Sequence, residues 1–122
     1  MDRKETGRRG EDAAAAYLER IGMWVEARNW RCSAGEIDII AREAGELVFV
    51  EVKTRRSERA GTAEEAVSAT KQKRIARLAE AYLRTIDAPI GCSARFDVVA
   101  IRVIAPDRAL LRHHRAAFQL PS

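Results

Sequence analysis

Residues 35–55, "GEIDIIAREAGELVFVEVKTR", hold two apolar runs, each interrupted by a carboxylate where burial penalises charge. Asp38 sits between Ile37 and Ile39, and Glu51 between Val50 and Val52, with Lys53 two residues further on. An ionised side chain in a buried strand is costly unless it is paired or binds a metal. Between the runs, Glu43-Ala44-Gly45-Glu46 has the composition of a hairpin turn, with Gly45 free to take positive φ. Residues 36–42 then pair with 47–53 or 54, which sets Asp38 opposite a residue near Glu51 or Lys53. Strand side chains alternate between faces, so Glu51 and Lys53 point the same way. Two arrangements satisfy these charges. One is an ordinary buried ion pair from Lys53 to Glu51 or Asp38. The other is a divalent cation shared by the carboxylates, with Lys53 beside it. Oxygen-only ligands suit Mg2+ or Mn2+, and such a site polarises a phosphoryl oxygen and activates water, the chemistry of phosphodiester hydrolysis.

The flanking sequence predicts an α-β-β-β-α-β order. A first helix spans about Lys4 to Ile21 and stops at Gly22, with Ala14 or Ala15, Leu18 and Ile21 as its inward stripe. One heptad back along that stripe lies Glu11, on the face that meets the sheet. Strands follow at Met23 to Arg31, Glu36 to Arg42 and Leu47 to Thr54, with Ser33-Ala34-Gly35 as a tight connection between the first two. The third strand is apolar on both faces until its end, as in a central strand covered on both sides. "RRSERAG" is a basic loop, and Thr62 to Glu65 has the form of a capping box. A second helix carries Val67, Ile75, Leu78, Ala79, Tyr82, Leu83 and Ile86 at helical spacing and ends at residues 87–91. "RFDVVAIRVI", 95–104, reads as a fourth strand, and "ALLRHHRAAF", 109–118, as an edge strand or a last helical turn. The order describes a mixed sheet with helices packed on it.

The totals suit one domain with its own core: 122 residues, 47% hydrophobic and 33% charged. A formal charge of +4 favours a polyanionic partner only where the charge is clustered. No apolar run approaches the roughly 18 residues of a membrane span. The polar start "MDRKETGRRGED" is not a secretory signal, which points to the cytoplasm. Cys32 and Cys92 fit no metal-binding spacing and read as free thiols in a reducing compartment.

The pattern of an acid, about a dozen residues, then Glu-X-Lys at the end of a core strand resembles the PD-(D/E)XK nuclease motif. The longer series "GRRGEDAAAAYL", "ARNWRC", "GEIDIIAR", "VFVEVKTR", "KQKRIARLAEAYL" and "RFDVVAI" resembles the YraN family, related to archaeal Holliday-junction resolvases, from Gly7 to Phe118. That resemblance implies a restriction-endonuclease-like αβββαβ core. It implies Glu11, Asp38 and Glu51 as metal-site acids, Lys53 as the catalytic lysine, and Mg2+ or Mn2+ as cofactor. It also implies DNA, branched or structured, as the substrate, and a two-fold homodimer as the assembly. Met23-Trp24-Val25 departs from the tyrosine-led strand of related chains.

Basic residues gather around these positions. Arg8 and Arg9 precede Glu11; Arg55, Arg56 and Arg59 follow Lys53; Lys71, Lys73, Arg74 and Arg77 line the second helix. We read Arg8, Arg9, Arg55, Arg56, Lys71 and Arg74 as phosphate contacts of a nucleic-acid surface. Gln72 and Lys71 run in step with the apolar stripe, which makes each a supporting group near the metal site, or a hydrogen bond to a strand end. Trp24 and Trp30 read as partly buried against the sheet, Asp97 as the partner of a basic neighbour, and His113 and His114 as neither ligands nor triad members. Two further classes remain open: a nucleic-acid-binding module that keeps the fold with little or no turnover, and a structural domain whose acids pair with lysine and arginine.

Overall fold

The computed structural model describes residues 3–56, 68–89 and 91–119. Helix α1 (Arg3–Arg20) leads into strands β1 (Trp24–Cys32), β2 (Gly35–Glu43) and β3 (Glu46–Arg55). Helix α2 (Ala69–Thr85) precedes β4 (Ala94–Ala105) and β5 (Arg108–Gln119). The five strands lie in chain order; β3 and β4 are parallel and the other neighbours antiparallel. The chain is thus an α/β fold with the αβββαβ core of the restriction-endonuclease-like class.

Alternation along the strands splits the core into two layers. Ile39, Ala41, Val48, Val50, Val99 and Ile101 pack against Ala14, Ala15 and Leu18 of α1. Ile40, Leu47, Phe49, Phe96 and Val98 pack against Ile75, Leu78, Ala79 and Tyr82 of α2. The helices therefore cover opposite faces, and β3 is sealed from Leu47 to Val50 before opening at Glu51. The stripe expected of α2 is the one that packs.

The turn after β2 is the tightest available, with Ala44 at φ 51 and Gly45 at φ 85 and Glu43 paired with Glu46. Two positive φ values in succession make a type I′ hairpin. The facing glutamates would repel. Arg95 of β4 offsets this, donating to Glu43 at 2.7 Å and Glu46 at 2.9 Å, and Arg115 adds 2.5 Å to Glu43. Arg95 also donates to the fully buried Asp97 at 2.9 Å and 3.2 Å. His113 lies 2.7 Å from the same carboxylate and the Ala116 amide donates to it at 2.9 Å. Burial acts to raise the Asp97 pKa, but His113, Arg95 and the Ala116 amide hold it below the ordinary carboxylate value. Asp97 meets a basic neighbour, as the sequence predicts, and His113 is its second partner, with Tyr17 of α1 at 3.0 Å on the other ring nitrogen.

Several expectations change. The tail is a strand throughout, paired with β4 from Arg95–Gln119 to Ala105–Arg108. Ile21 leaves the inward stripe at 37% exposure and Met23, at 4%, takes its place. The cause is the helix end: the Gly22 N–H bonds Glu19 C=O and the Met23 N–H bonds Leu18 C=O, which folds Met23 back onto Leu18. Trp24 is 72% exposed rather than partly buried, because it begins an edge strand. Trp30 does pack, edge-on to Tyr82. The capping box at Thr62 to Glu65, Val67 and Arg59 lie outside the described residues; the N-cap seen is Ser68, whose hydroxyl accepts from the Lys71 amide at 3.2 Å. Cys32 and Cys92 are free thiols. Among the described residues no helix is long and apolar enough to cross a membrane.

An alanine in the left-handed region costs about 1 kcal/mol, whereas asparagine tolerates it. Ala44→Asn is therefore expected to raise stability by about 0.5–1 kcal/mol in urea unfolding, with an unchanged sheet register.

Candidate metal centre

The hairpin places the first two acids. Ile39 pairs with Val50, so the next rung brings Asp38 beside Glu51, one of the two neighbours that counting from the turn allows. There the β2–β3 ladder opens, and the Asp38 carboxylate takes the backbone's place: its Oδ2 accepts from the Val52 amide at 2.8 Å. Glu51 and Lys53 continue the α2-facing series of Leu47 and Phe49. Glu51 accepts from Lys71 of α2 at 2.6 Å through Oε1, while Lys53 Nζ stands 4.0 Å from Oε2. Oε2 itself is buried with no hydrogen-bond partner. Asp38, Glu51, Lys71 and Arg74 line a cavity of about 260 Å³ floored by Ile37, Ile75, Leu78 and Phe96.

Glu11 arrives from the other layer. Gly10 is buried against β3, and a Cβ there would lie 2.2 Å from Thr54 Oγ1. That contact is possible only for glycine, and it presses the start of α1 onto the open end of the sheet. Carboxylate oxygens of Glu11, Glu36 and Asp38 consequently lie within 4.8 Å of one another. Asn29 of β1 donates to Glu11 at 2.8 Å and to Glu36 at 3.1 Å, and Arg31 donates to Glu36 at 3.1 Å.

The expected acids thus fall into two groups that meet at Asp38. Glu11 and Asp38 share a cluster with Glu36; Glu51 lies on the next strand and is engaged by Lys71. Burial pushes the Asp38 pKa up to about 6 against the pull of the Val52 amide, and the charges of Glu11, Glu51 and Glu36 push it the same way. Like charges at close range raise a carboxylate pKa until a cation offsets them. A hard divalent cation fits the cluster of Glu11, Glu36 and Asp38, which offers carboxylate oxygens only, and Glu51 on the next strand keeps one buried oxygen without a partner.

The basic residues divide as well. Arg8, Arg9, Arg55, Arg56, Lys73, Arg74 and Arg77 are exposed. Lys71 is half-buried, and its ammonium is inside the site rather than on the surface, because the turn of α2 after Ser68 abuts the end of β3. Gln72 is also half-buried. The sequence reading missed Glu36 and Asn29. Glu36 had a signal, since two residues before Asp38 on a strand is the same face. Asn29 had a weaker one, an amide residue inside a strand pattern where such residues are depleted.

A family model described as "Uncharacterised protein family UPF0102" matches residues 10–101, which include Glu11, Asn29, Glu36, Asp38, Glu51, Lys53 and Lys71. A UPF0102 protein of Geobacter sulfurreducens is 48% identical over 117 residues, covering 96% of this chain and 91% of its own length. One from Nocardia farcinica is 46% identical over 117 residues, with the same 96% and 91% coverage. One from Symbiobacterium thermophilum is 52% identical over 99 residues, covering 80% of this chain and 82% of its own.

Two substitutions check this geometry. Gly10→Ala should lose about 1–3 kcal/mol despite alanine's better helix propensity, and adding Thr54→Ala should recover most of the loss, both read by urea unfolding. Asp38 tests the electrostatics. The folded chain holds this proton more tightly than the unfolded one, so stability falls as pH rises from the ordinary value of 3.8 through about 6. Asp38→Asn should then stabilise the metal-free protein by about 1–3 kcal/mol at pH 7, with the gain gone near pH 4. A net loss at pH 7 would instead mean that the carboxylate belongs to a favourable ion pair.

Proposed function

The chain belongs to the UPF0102 family, the YraN family of the motifs above, and on that premise we propose that it is a metal-dependent nuclease that hydrolyses phosphodiester bonds in DNA, with branched or structured DNA as its substrate class. The observation that carries this reading is Asp38: a half-buried carboxylate pushed up to about 6, with the charges of three further acids acting on it, one of them Glu51 with an unpartnered oxygen. A structural ion pair has no use for such crowding.

Asp38 and Glu51, with Glu11 completing the set, are the residues that would hold Mg2+ or Mn2+. When bound, the cation supplies charge neutralisation at a phosphoryl oxygen and acidifies water. The rest falls to the chain's own groups. Lys53, on the face of Glu51 and at the mouth of the sheet, is placed to orient a water or offset charge that develops on the phosphate. Lys71 neutralises Glu51, and its ammonium would be free to meet a phosphate if Glu51 held a cation instead. Exposed Arg8, Arg9, Arg55, Arg56 and Arg74 would neutralise the flanking phosphates. A two-fold pair of such sites suits a substrate with two strands to cut.

The second reading is a nucleic-acid-binding module with this fold and little or no turnover. The 2.6 Å contact between Lys71 and Glu51 favours it, because the protein's own ammonium already satisfies one ligand oxygen. One experiment separates the two. Duplex, flap, four-way and single-stranded DNAs are incubated with Mg2+ or Mn2+ and wild type, Asp38→Ala or Lys53→Ala. The nuclease reading expects metal-dependent cutting that drops at least about 100-fold in both variants while DNA binding is retained. Binding without metal-dependent cutting selects the module.

A further inference from the structure

We infer that Asn29 is a positioning residue of the acidic site, and that it adds Glu36 to the groups a divalent cation would meet. The inference rests on the metal-dependent reading above. Arg28 pairs with Ile39 and Trp30 with Ile37, so Asn29 stands beside Asp38 on the neighbouring strand. Asn29, Asp38 and Glu51 thus form one row across β1, β2 and β3. At this position β1 does not follow regular strand geometry: Asn29 takes φ 51. That left-handed backbone is disfavoured for residues with a Cβ, asparagine less than most.

The amide puts this conformation to a definite use. Nδ2 carries two hydrogens, and both have carboxylate acceptors: Glu11 Oε1 at 2.8 Å and Glu36 Oε1 at 3.1 Å. Glu11 comes from α1 and Glu36 from β2, so the amide ties the helix to the sheet edge at the site itself. Without a donor between them, two like charges on separate elements would move apart into water. Arg31 donates to Glu36 alone at 3.1 Å, whereas the neutral amide bridges both acids and adds no charge of its own. Asn29 therefore keeps Glu11 and Glu36 gathered beside Asp38 in the metal-free protein. The ordering is done before the cation arrives, as groups outside the ligand set do in metal sites generally.

Glycine at position 29 separates the backbone role from the amide role, because it accepts positive φ without penalty and lacks the side chain. Asn29→Gly and wild type are compared by Mn2+ titration, followed by electron paramagnetic resonance and calorimetry, and by thermal unfolding without metal. The expected result is a Tm within roughly 4 °C of wild type and Mn2+ affinity weakened about 10–100-fold. Asn29→Ala should lose affinity similarly and unfold at a lower temperature than Asn29→Gly. Wild-type Mn2+ affinity in folded Asn29→Gly overturns the positioning role while the metal-dependent reading stands. Absence of Mn2+ binding in wild type overturns both.

Discussion

The register of the β2–β3 hairpin is the constraint on which the rest of the molecule depends. A two-residue turn at Ala44-Gly45 leaves no slack, so pairing Glu43 with Glu46 also pairs Ile39 with Val50 and sets Asp38 beside Glu51. A slip of β2 by one residue against β3 would turn Ile39 and Ala41 away from α1 and Ile40 away from α2. Each helix would then lose the β2 half of its seat. The register that seals the core is thus also the one that brings the two carboxylates together, and Arg95 reinforces it by bridging the glutamates at the base of the turn.

Two aspartates of the same sheet, Asp97 buried and Asp38 half-buried, show how neighbours decide what an acid is for. Asp97 has lost all contact with water, yet Arg95, His113 and the Ala116 amide hold its pKa below the ordinary value. Asp38 is less enclosed, but its neighbours are carboxylates and one amide, and its pKa rises to about 6. Burial opposes the charge in both. The difference is the sign of the surrounding charge. Asp97 stabilises the ionised state and ties β4 to β5 and, through His113 and Tyr17, to α1. Like charge around Asp38 costs the fold stability, a cost that the proposed cation would offset.

How much of this was legible in the chain varies by residue. Glu11 could be placed on the inward face of α1 by one heptad step from Leu18, because helical periodicity is a local property. Turn length brought Asp38 near Glu51 or Lys53, and the observed register chose Glu51. Glu36 was equally legible by strand alternation and was passed over, since exposed glutamates are common. Helical spacing leaves Lys71 two roles, a phosphate contact or a supporting group near the acids, and its 2.6 Å contact with Glu51 selects the second. Ile21 and Trp24 were misplaced for a related reason: both sit where an element ends, and burial at an end depends on what the chain does next.

The sequence by itself determined the αβββαβ order, the site of the hairpin turn, the main apolar stripe of each helix and the family, because periodicity, turn chemistry and motif spacing are written in short stretches. The tertiary structure alone decided which charge stands next to which. The approach of α1 at Gly10 and Thr54, the amide of Asn29 between two acids, and the ammonium of Lys71 on Glu51 join residues from different elements. Electrostatic energy depends on distances of a few ångströms between such residues, and no spacing along the chain encodes them.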